Sequence, residues 1–217
     1  MGVSRLRKYD AAIELLWFFF PVFLLLWVVP AMPGNVSATW IGLMTFVLVL
    51  LLSSHTYYQE TAQELGFRID NFFAAIKLML WPMAALICLM FAVGYGLGEP
   101  RFGARFWMAV IFGPVWGFIQ QYGLQCFVNK RLQKIFGKGR LSAGLTALIF
   151  AAAHLPNPAL TVATAIGGYI WARVYQKEPN LFALALTHGI GSAIFAATMP
   201  KTILKNMIVG YSYLIRP

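Results

Sequence analysis

Pro114-Val-Trp-Gly-Phe-Ile-Gln-Gln-Tyr-Gly-Leu-Gln-Cys-Phe-Val-Asn-Lys-Arg131 is the stretch whose reading decides the fold. An apolar helical pattern runs into it from Phe106, and Gln120, Gln121 and Gln125 interrupt that pattern. Residues four apart share a helix face, so Gln121 and Gln125 point the same way. An amide buried in lipid without a hydrogen-bond partner is heavily penalised. Something polar must therefore face these glutamines. The other strongly polar groups deep in apolar segments are His154, Asn157, His188 and Ser192. The sequence predicts that the two sets meet in one polar cavity inside a helix bundle.

Working outward, 60% of the 217 residues are hydrophobic and only 11% are charged, with a mean hydropathy of +0.71. A soluble domain carries about 25% charged residues. The deficit, with apolar runs near the length of a bilayer crossing, predicts an all-α, polytopic, integral membrane protein. The length suits a single membrane domain over residues 1–217. The bilayer is then its first partner. The net charge of +10 does not indicate nucleic acid, because the Lys and Arg residues lie between apolar runs and the aromatics lie within them. Cys88 and Cys126 each fall inside an apolar segment and make no disulfide framework.

Seven or eight spans are expected. The apolar segments are 11–29, 40–52, 72–97, 106–127, a short 142–154, 159–171, 181–197 and a weaker 203–215 that either crosses or lies at the interface. The first is long for a signal peptide and reads as a retained helix. Pro82 is placed to kink the third, and Gly167-Gly168 to let the sixth approach a neighbour closely. The stretch 53–71 is the most polar, with Glu60, Glu64, Arg68 and Asp70. His55 at its edge reads as an interfacial histidine with water nearby. Lys130, Arg131, Lys134, Lys138 and Arg140 form the most basic loop. With the N-terminus inside and eight spans, thirteen cations fall on the inner side, from Arg5 to Arg216. Arg101, Arg105, Lys201 and Lys205 fall outside. Cytoplasmic loops carry the excess of Lys and Arg, so the N-terminus is expected to be cytoplasmic.

Three short motifs lie on these segments in order. Phe150-Ala-Ala-Ala-His154 has the pattern Phe-x-x-x-His, Gln120-Gln121-Tyr-Gly-Leu-Gln125 precedes it by one helix, and His188-Gly-Ile-Gly-Ser192 follows two helices later. This arrangement resembles the CPBP family (CAAX protease and bacteriocin-processing, also called Abi) of intramembrane proteases, which includes the type II CAAX prenyl endopeptidase. That family carries Glu-Glu-x-x-x-Arg in the first position and His-x-x-x-Asn/Asp in the last. Gln-Glu-Leu-Gly-Phe-Arg68 resembles a further stretch common before its core, so the resemblance covers residues 64–196. It implies a membrane-embedded endopeptidase site at His154, His188, Gln120 and Gln121, with Gln125, Asn157 and Ser192 supporting substrate or oxyanion. The substrates it implies are hydrophobic or lipidated peptides.

The departures carry information. Both glutamates of the family motif are Gln here, its arginine is Gln125, and its final Asn/Asp is Ser192. An amide cannot serve as a carboxylate base. Loss of the glutamates alone would strand a buried arginine. Because the arginine is also absent from the motif, the three Gln read as a coordinated change, able to satisfy one another as an amide network. Zinc takes three or four protein ligands. His154 and His188 supply two and Gln is a poor third, so no metal cofactor is expected, though these two would be the ligands if zinc bound. Two readings of function stand: a CPBP-type endopeptidase with an altered first motif, or a protease-like protein that holds a hydrophobic peptide, lipid or isoprenoid without cutting it. A small transporter is a third, disfavoured because no inverted repeat shows.

Overall fold

The computed structural model describes residues 2–98 and 100–215, with side chains from residue 8 onward. Glu99, Arg216 and the side chains of Arg5 and Arg7, which entered the charge reading, lie outside the described residues. Everything regular among the described residues is helical. Helix α1 (Gly2–Phe23) continues through a wide π-helical turn (Leu24–Val28) into a 3-10 turn (Val29–Ala31). Then come α2 (Ser37–Tyr57), α3 (Phe72–Leu97) and α4 (Ala104–Gln121). Helix α4 runs without a break into a π-helical segment (Tyr122–Asn129) and on into α5 (Lys130–Phe136). Helices α6 (Arg140–Ala152), α7 (Pro158–Lys177) and α8 (Leu181–Thr198) complete the bundle.

Large apolar side chains point outward around much of the bundle: Trp81 is 78% exposed, Phe73 75% and Leu16 70%. Such a surface is stable only against lipid. The protein is an integral membrane protein. Four stretches, Lys8–Ala31, Ser37–Tyr57, Phe72–Leu97 and Leu181–Thr198, are long and apolar enough to cross a bilayer. The weak eighth segment does not form a span. It breaks into α9 (Lys201–Leu204), a 3-10 turn (Lys205–Met207) and α10 (Tyr211–Ile215). A crossing needs about 20 continuous residues.

Helices α4 and α8 pack closest because small residues line both sides of their seam. A Cβ added to Gly189 would stand 2.3 Å from Pro114 N, and one added to Gly117 would stand 2.7 Å from Ala185 O. On the other side, Gly168 brings α7 against α6, where a Cβ would meet Phe150 and Ala147 at 3.2–3.3 Å. These contacts set His188 beside the end of α4 and Trp171 beside Phe150.

Asparagines hold the turns. Asn180 caps α8 through Ala183 N (2.9 Å) and donates to Arg68 O (2.7 Å) and Asn71 Oδ1 (2.8 Å), docking the 58–71 loop on the α7–α8 turn. Asn157 caps α7 through Leu160 N (3.2 Å). Its amide donates to Leu204 O (2.8 Å) and Ile208 O (3.1 Å), and Gly210 N donates to Leu155 O (2.8 Å). The segment 201–210 is thereby strapped over the turn after His154.

The charge distribution predicts that Lys138, exposed at the α5–α6 turn, faces the cytoplasm. In a Cys88→Ser background, a Lys138→Cys protein should resist a membrane-impermeant thiol reagent on intact cells and react after lysis. Labelling on intact cells would reverse the orientation.

Candidate functional site

Four amides stand at every fourth position along α4, the π-helical segment and α5: Gln121, Gln125, Asn129 and Gln133. The first three are fully buried. They are hydrogen-bonded head to tail. Gln133 Nε2 donates to Asn129 Oδ1 (3.1 Å), Asn129 Nδ2 to Gln125 Oε1 (2.8 Å), and Gln125 Nε2 to Gln121 Oε1 (3.0 Å). The direction is set by the backbone, because Asn129 Nδ2 also faces Ala172 O at 3.3 Å and a carbonyl can only accept. Gln176 joins from α7, donating to Asn129 Oδ1 (3.2 Å) and Ser142 Oγ (3.1 Å), and its own oxygen takes Arg173 Nη1 (3.1 Å). Of the three glutamines expected to form an amide network, Gln121 and Gln125 are joined in it and Gln120 is not. The network is longer than expected and extends towards the basic end of the bundle.

At its far end Gln121 Nε2 lies 3.0 Å from His188 Nδ1. Since Gln121 Oε1 already accepts from Gln125, its amide donates here. His188 Nδ1 is therefore the bare nitrogen, and the proton of neutral His188 sits on Nε2. Trp171 stacks on the His188 ring at 4.5 Å and 19°, with its indole N–H tied to Thr187 Oγ1 (3.1 Å). Gly167 gives that indole room: a Cβ there would lie 2.9 Å from its ring. His154 has the other tautomer. Its Nδ1–H donates to Phe150 O (2.7 Å), which leaves a lone pair on Nε2. The two imidazoles flank the Phe150 ring, both edge-on, at 4.7 and 5.8 Å between centroids. Thus Gln121 from α4, His154 after α6 and His188 from α8 converge.

Other expected members stand apart. Both ends of the Asn157 amide are engaged with backbone, so it has no N–H left for an oxyanion. Ser192 and Gln120 are half-buried and make no hydrogen bond among the described residues. The donor set does not suit zinc. His188 has its lone pair on the nitrogen that accepts from Gln121, the neighbours are amides, and no group of three His, Cys, Asp or Glu side chains comes together among the described residues.

A second polar cluster is a correction to the sequence reading. Arg131, assigned to the basic loop, is fully buried. Its Nε lies 2.7 Å from Glu14 Oε2 and its Nη1 2.9 Å from Glu60 Oε1. Ser54 bridges to Glu14, and Tyr58 covers the guanidinium at 4.3 Å. His55, read as a hydrated interfacial residue, is only 6% exposed and donates Nδ1–H to Glu60 Oε2 (2.7 Å). Burial alone would raise the Glu60 carboxyl. The hydrogen bond from His55 and the charges of Arg131 and Lys130 outweigh it and pull the group down to about 2. The available signal was Glu14, a lone acid inside an apolar run, which needs a buried cation.

The fold and this site define a polytopic α-helical membrane protein with a His–amide centre in its core. Residues 102–194, a little under half of the chain, match the model of the family described as Type II CAAX prenyl endopeptidase Rce1-like. The match falls within residues 64–196 and takes in all seven site positions expected from the motifs. No curated protein and no solved structure matched.

Proposed function

We propose that the protein is an intramembrane endopeptidase homologue of the CAAX-protease type, acting on hydrophobic or lipidated peptides at the His154–His188 centre. The observation that supports this reading best is the opposed tautomers of the two histidines. His154 offers a bare Nε2 and His188 an Nε2–H. One can take a proton from water while the other hydrogen-bonds the carbonyl oxygen that becomes the oxyanion. In this reading the water oxygen attacks the carbonyl carbon, and the proton passes from His154 to the leaving amine. Gln121 fixes His188 rather than acting as a base, and Gln120, without a partner among the described residues, is free to hold a substrate amide. The match of residues 102–194 to the Rce1-like family model supports the reaction class.

Purified protein incubated with lipidated and unlipidated peptides, with products read by mass spectrometry, tests the reading. His154→Ala should lower cleavage by 10²–10⁴-fold, the usual contribution of general base catalysis. The rate should also fall as pH drops and the imidazole becomes protonated. Turnover that survives both His154→Ala and His188→Ala overturns this assignment. Retention of peptide with no product in any form would mean a binding protein.

A further inference from the structure

At the end of the α4–α8 seam away from the amide ladder lies a cavity of about 490 Å³ that the endopeptidase reading does not use. Its rim carries Arg101, Arg105 and Lys201, and no carboxylate among the described residues lines it. Arg101 is built into the wall, donating Nη2 to Met199 O (2.6 Å) and Ala196 O (3.3 Å) at the C-terminus of α8. Its other N–H groups, Arg105 and Lys201 have no partner among the described residues. The cavity also includes the first turn of α4, where the N–H groups of Ala104 and Arg105 have no backbone partner among the described residues and favour an anion. Below this cationic rim the walls are apolar, formed by Ala109 of α4 and Ala193 and Ala197 of α8. The fourth side is Leu204 and Met207 of the strap that Asn157 holds.

Three cations over an apolar shaft fit a molecule with an anionic head and a hydrocarbon tail. A soluble anion satisfies the rim alone, and a neutral lipid the walls alone. We propose that this cavity is a specific binding site for an anionic phospholipid. The phosphate lies among Arg101, Arg105 and Lys201, and one chain lies along the Ala109–Ala193 wall. The site is separated from His188 by the tight Gly113–Gly189 contact, where a Cβ on Gly113 would meet Gly189 O at 3.1 Å. It is therefore an accessory site. An occupant would press on the strap over the turn that follows His154.

Native mass spectrometry of the detergent-solubilised full chain tests the proposal, using phosphatidylglycerol, phosphatidylcholine and inorganic phosphate as separate probes. One phosphatidylglycerol should be retained in preference to phosphatidylcholine. Each cation removed should weaken it about fivefold, and all three together roughly 100-fold, as expected for cations near a lipid surface. The double variant Arg105→Gln/Lys201→Gln leaves the Arg101 cap intact, so loss of lipid there does not reflect unfolding. Ala109→Phe fills the shaft with the charges in place and should also release the lipid. Removing the exposed cations Lys138, Arg140 and Lys177 elsewhere should change nothing. Equal weakening by that control, equal retention of phosphatidylcholine, or retention unaffected by Ala109→Phe would overturn the proposal. Inorganic phosphate that displaces the lipid at equal concentration would reassign the rim to a soluble anion.

Discussion

Arg131→Ala is expected to destabilise the protein by about 3–5 kcal/mol, the cost of leaving buried charges uncompensated. The guanidinium is 0% exposed and satisfies Glu14, Glu60 and Ser54 at once. Without it two carboxylates from different parts of the chain face each other with only Lys130 and Lys134, both 3.6 Å from Glu60, and His55 to offset them. Arg131→Lys should recover little, because one ammonium cannot span both carboxylates. Reversible denaturation in mixed micelles measures the difference, and a loss below about 1 kcal/mol would contradict a central role for the cluster. The same cluster gives an acid limb. Glu60 is depressed from its ordinary 4.5 to about 2 in the folded protein. Its contribution is therefore complete above pH 4.5 and is lost as pH falls through about 2. Glu60→Gln should remove that part of the pH dependence.

Gln121→Glu is expected to move a proton on a different residue. A carboxylate at position 121 accepts the Gln125 N–H as the amide does, but has no N–H to give His188. His188 must then donate from Nδ1, and in the neutral ring Nε2 becomes bare. Both imidazoles of the centre would then present lone pairs, with a carboxylate orienting one of them. Because the proposed centre uses the His188 Nε2–H for the oxyanion, cleavage should fall by about 10²–10³-fold, the usual cost of losing one such donor. Nitrogen NMR of histidine-labelled protein reads the tautomer directly, and the peptide assay reads the rate. An unchanged His188 tautomer would show that Gln121 does not govern it. A swapped tautomer with no loss of cleavage would show that the His188 Nε2–H does not serve the oxyanion.

Much of this centre is legible in the sequence because its logic is local. Glutamines four apart in an apolar run announce a polar stripe, and two histidines in apolar helices announce what it faces. Gln121 and His188 meet accordingly. Asn129 and Gln133 continue the same spacing, yet they sit beside Lys130 and Arg131, where water would satisfy any amide and no burial is implied. Asn157 lies beside His154 in sequence, but its amide is directed by Leu204 and Ile208, about fifty residues away. Arg131 was hidden for a similar reason. Its partners are 117 and 71 residues distant, and its neighbours in sequence are those of a basic loop.

The ion cluster also bears on how separable the family segment is. Arg131 lies inside residues 102–194, whereas Glu14 and Glu60 lie before them. Excised, the segment would carry a guanidinium shaped for burial and no anion to bury it with. The region that matches the family model is therefore expected not to fold on its own. The order of synthesis suits this dependence, because both carboxylates leave the ribosome before the arginine does. As α5 arrived, its cation would meet a waiting counter-charge, so the N-terminal helices would serve as an intramolecular assembly factor for the part of the chain that bears the histidines.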